Sequence, residues 1–89
     1  MQYVPRLSYF YGISIYMYPR DHNQPHFHAN YGEFSALFLV ATGETISGGL
    51  PRRAERLVSD WLRIHRDEVY QAWLNLQSGR SVDAIAPLR

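Results

Sequence analysis

Several residue types and patterns are missing from this chain of 89 residues, and each absence narrows what it can do. There is no cysteine, which excludes disulfides, thiolate metal ligands and a cysteine nucleophile. No stretch has the roughly 20 apolar residues that span a bilayer, and the N-terminus lacks a basic region followed by an apolar run. We therefore expect a single cytoplasmic domain over residues 1–89.

Lysine is also absent, so all nine basic residues are arginine, and the net charge is only +1. A net charge this small does not by itself imply a nucleic-acid partner. The planar guanidinium suits bidentate contacts to carboxylate or phosphate, although GC-rich codon usage produces the same bias. The composition is 46% hydrophobic and 15% aromatic, which is enough to build one small core.

The first half of the chain predicts an antiparallel meander. Residues 8–18 are rich in aromatic and β-branched residues and alternate as one strand, which predicts an apolar face made of Tyr9, Tyr11, Ile13, Ile15 and Met17. Residues 26–31, residues 34–41 and a short run around 45–47 predict three more strands, separated by turns. The 34–41 strand is apolar on both faces, so it is either covered twice or offers one face to another chain.

The second half predicts one long amphipathic helix over residues 51–78. Apolar residues recur there at spacings of three and four, Pro51 suits the first turn, and Gly79 suits the position just after the last turn. Such a helix would be about 40 Å long, which is long for this domain, so we expect a bend near residues 65–67. The tail, residues 81–89, would add a short edge strand.

These elements define an α+β fold. We predict a three- to four-stranded antiparallel β-meander packed on one long amphipathic α-helix, with a short C-terminal extension. Trp61, Trp73 and His65 fall on the apolar stripe of the helix, so we expect two core anchors and a hydrogen-bonded core histidine.

Three of the four histidines lie within residues 21–29. In a strand, His26 and His28 point to one face about 7 Å apart, and Phe27 points to the other. We expect the helix to cover the Phe27 side, which leaves both histidines on an uncovered face. The same face is predicted to hold the binding residues Tyr16, Tyr18 and Asn30.

The chemistry of this cluster has three interpretations. A divalent metal, zinc or nickel, would take His26, His28 and ligands from the adjoining loop, Asp21 and His22. Alternatively, His26 and His28 would be the catalytic base and acid of a nuclease, with Tyr or Arg groups positioning the phosphate. In the third interpretation the strand histidines only hydrogen-bond to neighbouring tyrosines.

Three arginines lie in the first turns of the predicted helix, where the helix dipole disfavours cations: Arg52, Arg53 and Arg56. They are either a solvated surface or contacts to an acidic partner or a nucleic-acid backbone.

The Asp-His-x-x-Pro-His-Phe-His element of residues 21–28 resembles the bacterial family catalogued as domain of unknown function 4160, or DUF4160. Residues 9–13, residues 31–33, the helix entry at residues 50–54 and the Trp61–Trp73 spacing are also similar to that family. Residues 2–6 depart from it, because the start of this chain is slightly longer.

The resemblance implies a small bacterial protein encoded beside a second small protein, an arrangement similar to toxin–antitoxin pairs. It assigns no catalytic role, so Asp21, His22, Pro25, His26 and His28 are motif positions only. We expect a partner-binding component of such a two-gene module. The 34–41 strand or the uncovered sheet face would dock a protein encoded nearby or a second copy. The alternative is a small His-dependent nuclease or metal-binding protein, so the sequence leaves open whether the chain is an enzyme.

Overall fold

The computed structural model describes residues 3–21 and 23–89 and shows an α+β fold, as predicted. Five strands form one antiparallel sheet in the order β1-β2-β3-β4-β5, and a single helix follows them in the described chain. The elements are β1 (Arg6–Phe10), β2 (Ile13–Tyr16), β3 (His26–Tyr31), β4 (Phe34–Leu39), β5 (Thr45–Gly49) and α1 (Arg52–Gln77). The sheet therefore has one strand more than the largest number predicted.

The extra strand arises because residues 8–18 are not one strand. Tyr11 and Gly12 have φ values of 50° and 82° and form a turn between β1 and β2. Positive φ at both central residues is what a type I′ hairpin requires, and Gly12 adopts it without steric cost. The turn pairs Tyr9 with Ser14 and leaves Tyr9 exposed, so its predicted place on the apolar face is wrong.

The pairing register separates the two faces of the sheet. Ile15, Ala29 and Ala36 form one row across β2, β3 and β4, and all three are buried. The adjacent row contains Tyr16, His28 and Leu37, which are half-buried. We call the first side the covered face, because α1 packs on it, and the second side the open face.

Helix α1 is bent where the sequence predicted a bend. His65 has φ −113° and ψ 17°, which lies outside the helical region. The helix ends in a Schellman motif, in which Gly79 has φ 83° and the Arg80 amide donates to the Asn75 carbonyl. Bending lets both halves of a 26-residue helix follow the twisted sheet.

Trp61 is the centre of the core that α1 forms with the covered face. Its side chain is fully buried, with ring centroids 5.6 Å from Phe10 and 5.8 Å from Phe27. The indole N–H donates to the Ala86 carbonyl at 2.9 Å, so the polar atom is also satisfied. Trp73 is buried as well, and both tryptophans are core anchors, as predicted.

His65 is half-buried, with its Nδ1 atom 2.6 Å from a carboxylate oxygen of Glu68. It is therefore hydrogen-bonded, as predicted, but it lies at the margin of the core. The tail forms no strand among the described residues, which corrects the predicted edge strand. Instead, Ile85 is buried and its amide donates to the carbonyl of Leu7 in β1. Within the described residues, no helix has the length and hydropathy that crossing a membrane requires.

Candidate functional site

The open face has two parts that differ in chemistry. We call Arg6, Tyr9, Tyr16 and Tyr18 the tyrosine half, and Leu37, Leu39 and Ile46 the apolar half. His28 lies between them, because it pairs with Tyr16 on one side and with Leu37 on the other. The face is thus an aromatic and aliphatic surface with the His28 imidazole between its two halves.

His28 faces outward from the open face. It is half-buried, and the Tyr18 ring meets it edge-on with a centroid separation of 4.6 Å. Burial lowers the pKa of His28 below 6.5, the nearby His26 lowers it further, and Asp21 partly opposes both effects. Its ring has no hydrogen-bond partner among the described residues. It follows that His28 is a neutral imidazole that is available to accept a proton.

His26 lies beside His28, with their ring centroids 5.7 Å apart, but it is not exposed on the open face as the strand pattern predicted. Its side chain is 5% exposed, and its ring is tilted against Trp73 of α1 at 5.1 Å. The Nδ1–H group donates to the Gln24 carbonyl at 2.7 Å, and Nε2 lies 3.0 Å from an Asp21 carboxylate oxygen. Both ring nitrogens of His26 therefore contact acceptor oxygens of the loop residues Gln24 and Asp21. His26 is therefore a buried neighbour of His28 that is held by the loop and by Trp73.

The end of α1 is hydrogen-bonded to the segment between β2 and β3 that carries Asp21. The side-chain oxygen of Gln77 accepts from the Asp21 amide at 2.8 Å, and its nitrogen donates to the Tyr18 carbonyl at 3.0 Å. Asp21 in turn accepts from the Asn23 amide at 3.0 Å and contacts His26. One glutamine thus connects the helix end to the histidine cluster.

The structure brings together only part of the predicted metal site. Asp21 contacts His26, and the His26 and His28 ring centroids are 5.7 Å apart, but His22 lies outside the described residues. Across residues 3–21 and 23–89, no group of three or more His, Cys, Asp or Glu side chains has the arrangement to hold a metal. Zinc or nickel binding through Asp21, His22, His26 and His28 remains a prediction.

The predicted binding residues separate into two groups. Tyr16, Tyr18 and Asn30 belong to the open face, and all three are at least partly exposed. The exposed arginines at the start of α1 lie on the other side of the sheet: Arg52, Arg53 and Arg56. Arg53 lines a separate cavity of about 340 Å³ with Tyr11 and Tyr31. The two groups do not form one site.

The sequence predicted His26 and the 34–41 strand that carries Leu37 and Leu39, but it did not predict Asn23, Gln24, Ile46, Arg6 or Tyr9 as site residues. A depression of about 300 Å³ is lined by Asn23, Gln24, His26, Leu37, Leu39 and Ile46. On the tyrosine half, the Arg6 guanidinium lies 5.0 Å from the ring centroid of Tyr9. The Tyr11-Gly12 dipeptide was the available signal for Tyr9, since a turn there moves Tyr9 to the open face. Gln77 carries no such signal.

A family model described as a domain of unknown function, DUF4160, matches residues 12–74. The match covers well over half of the chain, and the chain belongs to this family. It extends from the β1–β2 turn into the second half of α1, so it includes His26, His28 and the whole apolar half. No curated protein and no solved structure matches the chain.

Proposed function

We propose that the chain is a partner-binding protein and that the apolar half of the open face binds another protein. The observation that carries this proposal is a group of aliphatic side chains on the sheet face opposite α1. Leu37 and Leu39 are half-buried, and Ile46 is 50% exposed. Contiguous apolar surface of this kind on a small protein marks an interaction site.

The depression beside these residues indicates what the partner presents. Its lining combines the aliphatic side chains of Leu37, Leu39 and Ile46 with the polar residues Asn23, Gln24 and His26. Apolar side chains together with polar ones are the usual composition of a protein interface. The partner would insert an apolar side chain into the depression, and Asn23 and Gln24 would provide polar contacts around it.

For the identity of the partner, we propose the product of a neighbouring gene in a toxin–antitoxin-like two-gene module. What supports this choice is the family resemblance, which implies such a pairing. The open face supports binding itself and not the biological role of the module. A second copy of this chain is the competing occupant.

The test compares two exposed isoleucines in complexes with the neighbouring gene product. Ile46→Glu places a charge in the apolar half, and Ile64→Glu places the same charge on α1, where Ile64 is 63% exposed. We expect Ile46→Glu to weaken the complex at least about tenfold in calorimetry, equivalent to about 1.4 kcal/mol, and Ile64→Glu to leave it unchanged.

Equal affinity of both variants would contradict the proposed surface. Light scattering of the chain alone separates the occupants. If the chain alone is a dimer and Ile46→Glu dissociates it, the apolar half binds a second copy and not the neighbouring gene product. A monomer that forms no complex on co-expression would overturn the proposal.

A second function, cleavage of RNA, is favoured by the neutral imidazole of His28. A neutral imidazole accepts a proton from an RNA 2′-hydroxyl as its oxygen bonds to the adjacent phosphorus. The bond from phosphorus to the 5′-oxygen then breaks, which leaves a 2′,3′-cyclic phosphate. Because both nitrogens of His26 are engaged by Gln24 and Asp21, His26 would position the site, and the leaving oxygen would take its proton from water or a tyrosine hydroxyl.

Incubation with RNA in chelator tests this second function. We expect cleavage that His28→Gln abolishes and that His65→Gln, a half-buried control histidine on α1, does not change. RNA that stays intact with chelator and with added divalent metals would remove the nuclease alternative.

A further inference from the structure

We propose that the tyrosine half of the open face binds single-stranded RNA. Its tyrosines occupy neighbouring positions of one face: Tyr9 is 54% exposed and pairs with Ser14, Tyr16 lies half-buried in register with Arg6 and His28, and Tyr18 is 40% exposed and meets the His28 ring edge-on. Aromatic rings on an open antiparallel sheet give unpaired bases a surface to stack on.

The charge of this surface complements a polyanion. None of the five strands contains an aspartate or glutamate. The cation of the tyrosine half is Arg6, whose guanidinium lies over the Tyr9 ring at 5.0 Å. Asp21 contacts His26 at the sheet end, and Glu33 and Glu44 lie in the turns on either side of β4. A phosphate near Arg6 would therefore meet a cation and no opposing carboxylate on the strands.

Polar side chains favour RNA over single-stranded DNA. Ser14, Asn30 and Ser35 form a row across β2, β3 and β4 next to the row that contains Tyr16. Hydroxyl and amide groups both donate and accept, which is what a ribose 2′-hydroxyl requires. Tyrosine and arginine are also common in protein interfaces, so a protein bound at the tyrosine half is the competing outcome.

Fluorescence anisotropy with a labelled oligouridine of about ten nucleotides tests the proposal. We expect Tyr9→Ala and Tyr18→Ala each to weaken binding at least about fivefold, because each removes one stacking surface. Tyr70→Ala is the matched control, since Tyr70 is 47% exposed on α1 and outside the proposed surface. Unfolding curves of the three variants should coincide with that of the unchanged protein.

Salt dependence tests the role of Arg6. Arg6→Gln should lower the slope of log affinity against log salt by about 0.7, the value for one contact to a single-strand phosphate. Arg63→Gln, an exposed arginine on α1, should leave the slope unchanged. DNA of the same sequence should bind more weakly than RNA, and a duplex more weakly still.

No binding of oligouridine at low salt would overturn the proposal, and so would equal losses for Tyr9→Ala and Tyr70→Ala. Duplex binding as tight as single-strand binding would mean that charge, and not base stacking, is responsible for the affinity. Equal affinity for DNA would overturn the choice of RNA. If Tyr9→Ala and Tyr18→Ala weaken only the protein complex, the tyrosine half belongs to the protein interface. This outcome is distinct from failure at the apolar half, which Ile46→Glu reports.

Discussion

The two faces of this sheet are built from alternate residues of the same strands, yet they differ in chemistry. On the covered face, Phe27 and Phe38 stack at 5.4 Å, and Trp61 packs edge-on against Phe27. On the open face, the intervening positions include Tyr16, His28 and Leu37, which stay partly accessible. Because side chains alternate with a period of two, neighbouring residues can serve stability and binding separately.

The largest effect is expected from breaking the covered face. Trp61→Ala removes a fully buried ring that contacts Phe10 and Phe27, and it also removes the hydrogen bond to the Ala86 carbonyl. It should lower the free energy of unfolding by about 3–5 kcal/mol in a denaturant titration. Tyr9→Ala on the open face should change it by less than about 0.5 kcal/mol. Similar losses for both variants would mean that the two faces do not divide these roles.

A smaller effect is expected at the junction of β4 and β5, next to the apolar half. Gly48 has φ 68°, and a Cβ atom there would overlap the Ser35 carbonyl oxygen. Gly48→Ala should cost on the order of 1–3 kcal/mol and speed amide exchange in β5. Gly49→Ala is the control, because a Cβ at Gly49 would meet nothing within 4 Å. Equal stability of the two variants would contradict the close approach of the Ser35 carbonyl to Gly48.

The smallest effect is a pH dependence from His28. Its pKa is lower in the folded protein than in the unfolded chain. As the pH falls below 6.5, the folded state therefore binds fewer protons than the unfolded chain does. The free energy of unfolding should therefore be highest above pH 6.5 and should decrease as the pH falls below that value. His28→Gln should reduce the slope between about pH 7 and pH 5, measured by denaturant unfolding. An unchanged slope would contradict the effect of burial on this residue.

Local pattern was sufficient for most of the fold. Strand β3 has the bounds that alternation and the Gly32-Glu33 turn predicted, and α1 bends at His65 within the expected range. The exception is β1 and β2, because the aromatic run around Gly12 looks like one continuous strand. Tyr11 and Gly12 both have positive φ in the turn; Gly12 was the available sequence signal, whereas a tyrosine gives no signal for that conformation.

The candidate site was predicted less completely, since it depends on contacts between distant residues. Alternation correctly placed His28 on the open face. It also placed His26 beside His28, where the ring centroids are 5.7 Å apart, but it did not predict that His26 is buried against Trp73 and the loop residues Asp21 and Gln24. Gln77, which holds that loop from 56 residues away, has no local pattern that predicts the contact.

Backbone amide chemical-shift mapping with the neighbouring gene product tests the central claim, that the open face is the binding surface. The account predicts shifts concentrated in β4 and β5 around Leu37, Leu39 and Ile46, with little change along the outer side of α1. Shifts concentrated on α1 around Ile64 and Tyr70, with β4 and β5 unchanged, would contradict it.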